Sequence, residues 1–254
     1  MDTAIPWNEL LKHPAAGDHI AQVVRDESFL AEAVAQYAAW GLELGEAVLL
    51  VVSAERRARL FRELEARGVS SSPALSVVDA DALLDCLMSE GKPDRAAFRD
   101  IVGTLVAELR LGYPAVRAYG EMVDLLCRRG DRLSALTLEQ YWNDLAREQG
   151  LAVFCAYSLD LLDPGEYATL RAVCQCHTHL IPARDYAGFN EAVADVAKAV
   201  LDQPLAQMML SLSAAQRPAT QMPMGQATLL WLRQHMPRTL EKMLAKLRGR
   251  LATA

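Results

Sequence analysis

Short apolar runs alternate with longer stretches of helical periodicity along most of this chain. The clearest run is 46–53, EAVLLVVS, and residues 19–24, 75–79, 115–119 and 151–157 share its character. Runs that are apolar at nearly every position, rather than at every second one, describe strands covered on both faces, as in a parallel sheet. Between them the spacing becomes helical. At 27–44, Phe29, Leu30, Ala33, Val34 and Tyr37 fall on one helical face and Gly45 ends the pattern. Further helices are expected at 54–67, 79–89, 94–111, 121–129 and 132–149, with glycine at or near each end. Strands alternating with helices build right-handed crossovers. The expected fold is therefore α/β, a three-layer sandwich around a mainly parallel sheet.

Beyond Tyr157 the pattern changes. A helix is expected at 166–176, then a connector at 177–186 containing Pro182. A helix over 190–212 must break near Pro204. Residues 214–225 lack apolar periodicity and read as a linker, and 227–248 forms a last amphipathic helix interrupted at Pro237. The chain thus divides into a lead-in at 1–16, an α/β domain at 17–186 and a C-terminal helical region at 187–254.

Composition narrows the class. With 52% hydrophobic residues over 254 positions, the chain can bury a sizeable core. No apolar run is long enough to span a membrane, and the N-terminus lacks a basic start followed by an apolar block. Five cysteines suit reduced thiols better than a disulfide framework, so a cytoplasmic setting is expected. The net charge of −6 is uneven: from Arg217 to Arg250 seven cations face one acid, leaving about −12 on the rest. That opposes direct nucleic-acid binding by the main domain. The basic tail either docks on its own acidic domain or meets an acidic partner.

Candidate chemistry follows from topology. Ligands of open α/β sheets gather beyond the carboxyl ends of the strands. That rule selects Arg25 and Asp26, Ser53 through Arg57, Asp79 and Asp81, Tyr119 through Met122, and Tyr157 with Ser158. Arg117 and Tyr119 are two apart on one strand, so they face the same way. Glu121 follows Gly120 at a helix start, either as an ordinary first-turn acid or as a ligand group. Glu139, Trp142 and Asn143 share one turn of the 132–149 helix, lining a pocket or closing a core. His19 opens the first strand and by default is a structural histidine. The turn after Val52 reads SAERR, without the glycines and lysine that a phosphate cradle needs, so ATP hydrolysis is not expected. No catalytic triad or paired carboxylates stand out, and an enzyme is not expected. Cys174, Cys176, His177 and His179 supply zinc-type donors within six residues, although structural zinc sites draw on separated knuckles. The alternative is a helix end whose imidazoles bond to the connector.

Taken together, these stretches resemble the MEDS family, the sensory domain named for methanogens, methylotrophs and the dichloromethane regulator. The matching segments are HIAQVVRDESFLAEAV from His19, GLELGEAVLLVVSAERRARLFREL from Gly41, RAYGEMVDLL from Arg117, LEQYWNDL from Leu138, FCAY from Phe154 and HTHLIPARDY from His177, covering about 17–186. The resemblance implies a degenerate relative of the RecA/KaiC-like core that senses a small molecule instead of turning over nucleotide. It directs attention to His19, Arg117, Glu121, Glu139, Trp142, Asn143 and His179 as pocket or switch residues, beside Tyr119, Met122 and Tyr157 at the strand ends. No resident cofactor is implied. No helix-turn-helix pattern precedes residue 17 and no kinase pattern follows 186. Output is therefore expected to pass through the C-terminal helices to a protein partner or by self-association.

Overall fold

A computed structural model describes residues 7–24, 26–69, 71–160, 162–181, 186–216 and 222–251. Arg25 at the end of the first strand, 182–185 of the connector and 217–221 of the linker lie outside the described residues. Two compact units emerge, Met1–Ser158 and Leu159–Ala254.

The first unit is built on parallel strands. In chain order the strands are β1 (His19–Val23), β2 (Ala47–Val52), β3 (Leu75–Asp79), the two-residue pair β4 (Met88–Ser89) and β5 (Lys92–Pro93), β6 (Val116–Gly120) and β7 (Ala152–Tyr157). The large strands of this unit lie in the order β3-β2-β6-β7-β1, and each pair is parallel. Every residue of β1, β2, β6 and β7 is buried, which is why their sequences are apolar on both faces. The register sets His19, Ala21, Val153 and Cys155 toward one face, and Arg117, Tyr119 and Phe154 toward the other.

A helix covers each face. Glu27–Glu43 starts at Asp26, whose carboxylate accepts the Ser28 N–H at 2.8 Å. It packs Tyr37 edge-on to Phe154, with ring centroids 5.6 Å apart. Arg132–Gln149 starts at Asp131 and ends at Gly150, which takes the left-handed conformation (φ 63°). It sets Trp142 over Gly120, where an added Cβ would stand 3.7 Å from the indole. Sheet and flanking helices make the three-layer α/β sandwich.

Two departures from the sequence pattern occur in this unit. The helix expected at 79–89 stops at Leu87, and Met88 and Ser89 turn into the antiparallel β4-β5 hairpin, with Gly91 at φ 76°. The helix expected at 94–111 appears as Arg95–Phe98 and Thr104–Gly112, joined by a π-helical turn at Arg99–Gly103.

In the second unit, helix Tyr167–Cys176 is followed by β8 (His179–Ile181), a strand within the stretch expected to be only a connector. The chain then forms helices Tyr186–Val200, Gln203–Ala215, Met224–His235 and Pro237–Leu251. The breaks fall where proline dictates. Asp202 caps the helix carrying Pro204 in its first turn, and Pro237 opens the last helix rather than kinking one longer helix. Leu240, Met243, Leu244 and Leu247 of that helix enter the apolar core of the unit with Tyr167 and Phe189. Two of its basic residues have partners within the unit, Arg250 with Asp195 and Arg248 with the Leu162 carbonyl.

Candidate functional site

Three polar constellations are built into the first unit, and they divide the residues singled out by sequence.

The first lies beyond the carboxyl ends of β2 and β6. Glu121 is 1% exposed, and its Oε2 accepts both the Ser53 N–H (2.8 Å) and the Ser53 hydroxyl (2.5 Å). Its other oxygen accepts the Tyr119 hydroxyl at 2.8 Å. Burial raises the Glu121 pKa above the usual carboxylate value, against the lowering effect of Ser53 and Arg56. Beside it, Arg56 donates to both oxygens of Glu27, to Asp124 and to the Ser158 hydroxyl, all within 2.7–2.8 Å. Burial works against the Arg56 charge, but the Glu27 hydrogen bonds and Asp124 outweigh it and hold the guanidinium above its ordinary pKa. Asp124, fully buried, also accepts the Ser158 N–H at 2.6 Å. The cavity left among Glu27, Leu30, Arg56, Tyr119 and Glu121 is about 10 Å³, the volume of a single water probe. The strand ends, where a ligand pocket is expected from topology, are filled by the chain's own side chains. Met122 joins the core there, fully buried.

The second constellation lies on the opposite face. His19, Glu139 and Cys155 are 0% exposed, and their nitrogen, oxygen and sulfur atoms lie within 4.8 Å of one another. The His19 Nε2 is 3.1 Å from Glu139 Oε2 and 3.3 Å from Cys155 Sγ. Its Nδ1 is 3.0 Å from the Asn143 side-chain oxygen. An amide oxygen only accepts, so Nδ1 carries a proton there. The Tyr157 hydroxyl donates to Glu139 Oε1. Burial pushes the Glu139 carboxyl up to about 8, despite its bonds from Tyr157 and Cys155, and raises Tyr157 well above its usual value. His19 is therefore held among three buried or part-buried polar side chains, Asn143, Glu139 and Cys155. Trp142, in contrast, packs edge-on against Phe98 with centroids 5.2 Å apart and closes the core.

The third is a clamp around Arg117, away from both. This 1% exposed guanidinium donates to the carbonyls of Leu11 (2.8 Å) and Lys12 (2.9 Å) and to Glu46, and lies over the Tyr37 ring. It faces the same way as Tyr119, as its spacing requires, and it ties the lead-in helix Trp7–Lys12 to the sheet.

The second unit holds the thiol–imidazole run. Cys174 is buried, with its thiol pushed up to about 12 by desolvation, and the His177 Nδ1 is 2.7 Å from the Val173 carbonyl. The His179 Nδ1 meets the Thr178 hydroxyl at 2.9 Å. Among the described residues, the ligand atoms of Cys174, Cys176, His177 and His179 are not brought together as a metal-binding group. The helix ends at Cys176, His177 is extended and His179 opens β8, so the four side chains leave the backbone in different directions. This unit also contains a cavity of about 510 Å³ with Tyr167, Arg171, Cys174, Leu230, Trp231 and Arg233 in its walls.

Sequence reasoning gave Asp124, Glu27 and Cys155 no role of their own. Asp124 interrupts the apolar run 122–126 with an acid, a local signal of a buried charge. Cys155 meets His19 only through the β1-β7 register, which sequence spacing does not display.

No helix among the described residues is long and apolar enough to cross a membrane. No curated protein matches the chain. Residues 18–178, well over half the chain, match the family model of MEDS, the methanogen/methylotroph, DcmR sensory domain, and the chain belongs to this family of sensory domains.

Proposed function

We propose that the protein is a non-catalytic sensory regulator that binds a small molecule and relays its occupancy through the C-terminal helices to a protein partner. The observation that carries this reading is the placement of the Glu121 carboxylate on the N–H and hydroxyl of Ser53. The strand-to-helix turn after β2 is where nucleotide-binding α/β folds receive a phosphate on bare amides. A buried carboxylate in that position repels an anion. The turn also lacks the glycines that expose amides and the lysine that grips phosphate, as in a phosphate loop that has lost its function.

The ligand needs room, and the helical unit supplies more than the strand ends. A cavity of about 510 Å³ is in the range that holds small organic ligands. Tyr167, Leu230 and Trp231 offer it apolar walls, and Arg171 and Arg233 bring positive charge. This combination suits a small apolar molecule bearing an anionic group. Calorimetric titration of the full chain with aliphatic and aromatic carboxylates tests the reading. Binding that Trp231→Ala weakens about tenfold or more, alongside no magnesium-dependent ATP turnover, supports it. ATP hydrolysis that is lost in Arg56→Ala overturns the non-catalytic part, and carboxylate binding unchanged by Trp231→Ala overturns the choice of cavity.

A further inference from the structure

We propose that His19, Glu139 and Cys155 form a buried binding site for a divalent metal ion of zinc type within the α/β unit. The three donors come from three elements: the first residue of β1, the middle of helix Arg132–Gln149 and the interior of β7. The β1-β7 register places Cys155 opposite Ala21, two residues from His19 on the same face, and the helix lowers Glu139 onto both. Their convergence is therefore a product of the fold and not of local sequence.

The spacing fits coordination. Zinc takes nitrogen and oxygen near 2.0–2.2 Å and sulfur near 2.3 Å in a tetrahedral shell, which puts its donors roughly 3.2–3.7 Å from one another. Here the imidazole nitrogen is 3.1 Å from the carboxylate oxygen and 3.3 Å from the sulfur. The third side, between the carboxylate oxygen and the sulfur, is no longer than 4.8 Å, so all three donors lie within reach of one ion.

The surrounding bonds orient the donors as metal centres do. Ligating histidines present one ring nitrogen to the ion and give the other N–H to an oxygen acceptor, which fixes ring and tautomer. His19 has this arrangement: Nδ1 meets the Asn143 oxygen at 3.0 Å, and Nε2 is left facing Glu139 and Cys155. Asn143 stands one helical turn beyond Glu139, so a single turn supplies both a ligand and the group that orients another. Tyr157 holds one oxygen of Glu139, turning the other toward the histidine. A network serving only to satisfy buried polar atoms has no need to converge three different ligand types on one point.

The donor set selects the ion. A mixture of imidazole, carboxylate and thiolate suits borderline-soft zinc, whereas magnesium and calcium prefer all-oxygen shells. Bound as thiolate and carboxylate, Cys155 and Glu139 contribute two negative charges that a divalent ion neutralises, while His19 binds as the neutral ring. Binding exchanges the thiol proton, and the carboxyl proton where present, for the ion. Three protein donors hold zinc in many centres, with the fourth position taken by a further donor or a water.

The test uses the full chain, purified without a metal-affinity step. Elemental analysis, zinc titration against a chromophoric chelator and cobalt(II) substitution give independent readouts. The expected result is stoichiometric zinc, and a cobalt adduct with tetrahedral d–d bands and a thiolate charge-transfer band that disappears in Cys155→Ser. Asn143→Ala, which keeps all three donors, is expected to weaken zinc about 10- to 100-fold while circular dichroism stays native. Cys174→Ser is expected to retain the full cobalt spectrum. No zinc uptake by the native chain, a thiolate band that survives Cys155→Ser, or unchanged affinity in Asn143→Ala overturns the site. Carboxylate binding by the helical cavity is measured separately, so failure of either proposal leaves the other standing.

Discussion

Replacing Arg56 with methionine tests whether the network beyond the strand ends holds the α/β unit together. The guanidinium makes four hydrogen bonds of 2.7–2.8 Å to Glu27, Asp124 and Ser158. Glu27 is about two-fifths exposed, and losing that pair costs little because water takes over its oxygens. Asp124 decides the magnitude. It is fully buried, and removal of Arg56 leaves it with the Ser158 donors and with Arg128, whose Nε is 3.5 Å away. Stripping the partner from a buried charge costs about 3–5 kcal/mol. The remaining donors place Arg56→Met near the lower end, about 3 kcal/mol, and a domain of this size then melts about 6–12 °C lower.

Urea denaturation followed by far-ultraviolet circular dichroism measures the loss. A double-mutant cycle with Asp124→Asn isolates the pair, because an amide oxygen still accepts the Ser158 N–H while carrying no charge. The expected coupling between Arg56 and Asp124 is about 2 kcal/mol. A loss below about 1 kcal/mol for Arg56→Met, or strictly additive single mutants, would show that the charge on Asp124 does not depend on Arg56. The reasoning would then fail at its central step.

Further consequences concern neighbouring groups. Burial raises the Glu121 pKa, so the folded chain holds that proton more tightly than the unfolded chain. The associated stability is fully present below the ordinary value of 4.5 and is lost as pH rises through the higher folded value. Glu121→Gln should flatten this part of the stability–pH curve, and an identical slope in both proteins would contradict the assignment. At Gly41 an added Cβ would stand 2.9 Å from Arg117 Cδ and 3.1 Å from Val48 Cγ2. Gly41→Ala should therefore destabilise by about 1–3 kcal/mol through overpacking, read as a lower urea midpoint; a neutral result would mean the Arg117 clamp gives way freely. Trp142→Ala should cost about 3–5 kcal/mol by opening a cavity beside Phe98 and Gly120, and a loss under about 1 kcal/mol would remove Trp142 from the core.

Much of the fold was legible because it is written in local periodicity. The strands β2 and β7 announce themselves as unbroken apolar runs, and Gly68, Gly130 and Gly150 mark chain reversals at positive φ. Where the pattern failed, a turn or pairing outside helical and strand periodicity decided. Met88 and Ser89 continue a helical sequence yet pair with Lys92 and Pro93, because Gly91 permits a reversal that the helix pattern does not encode. His179–Ile181 is too short to show any periodicity. The same division runs through the site. Sequence placed Tyr119 near the end of a strand and Glu121 at the start of the next helix, since a single strand and its following helix fix both. It could not place Arg117, whose partners Leu11 and Lys12 lie more than a hundred residues away. Nor could it join His19 to Cys155, which are related only through the pairing of the first and last strands of the unit. For the 174–179 run, sequence proximity left a metal site and a hydrogen-bonded helix end both open, and the four donors are not gathered into one group among the described residues. Donors crowded together in sequence diverge when the chain passes from a helix end at Cys176 through an extended His177 into a strand at His179. Donors far apart converge when a parallel register and one helical turn aim them at the same point.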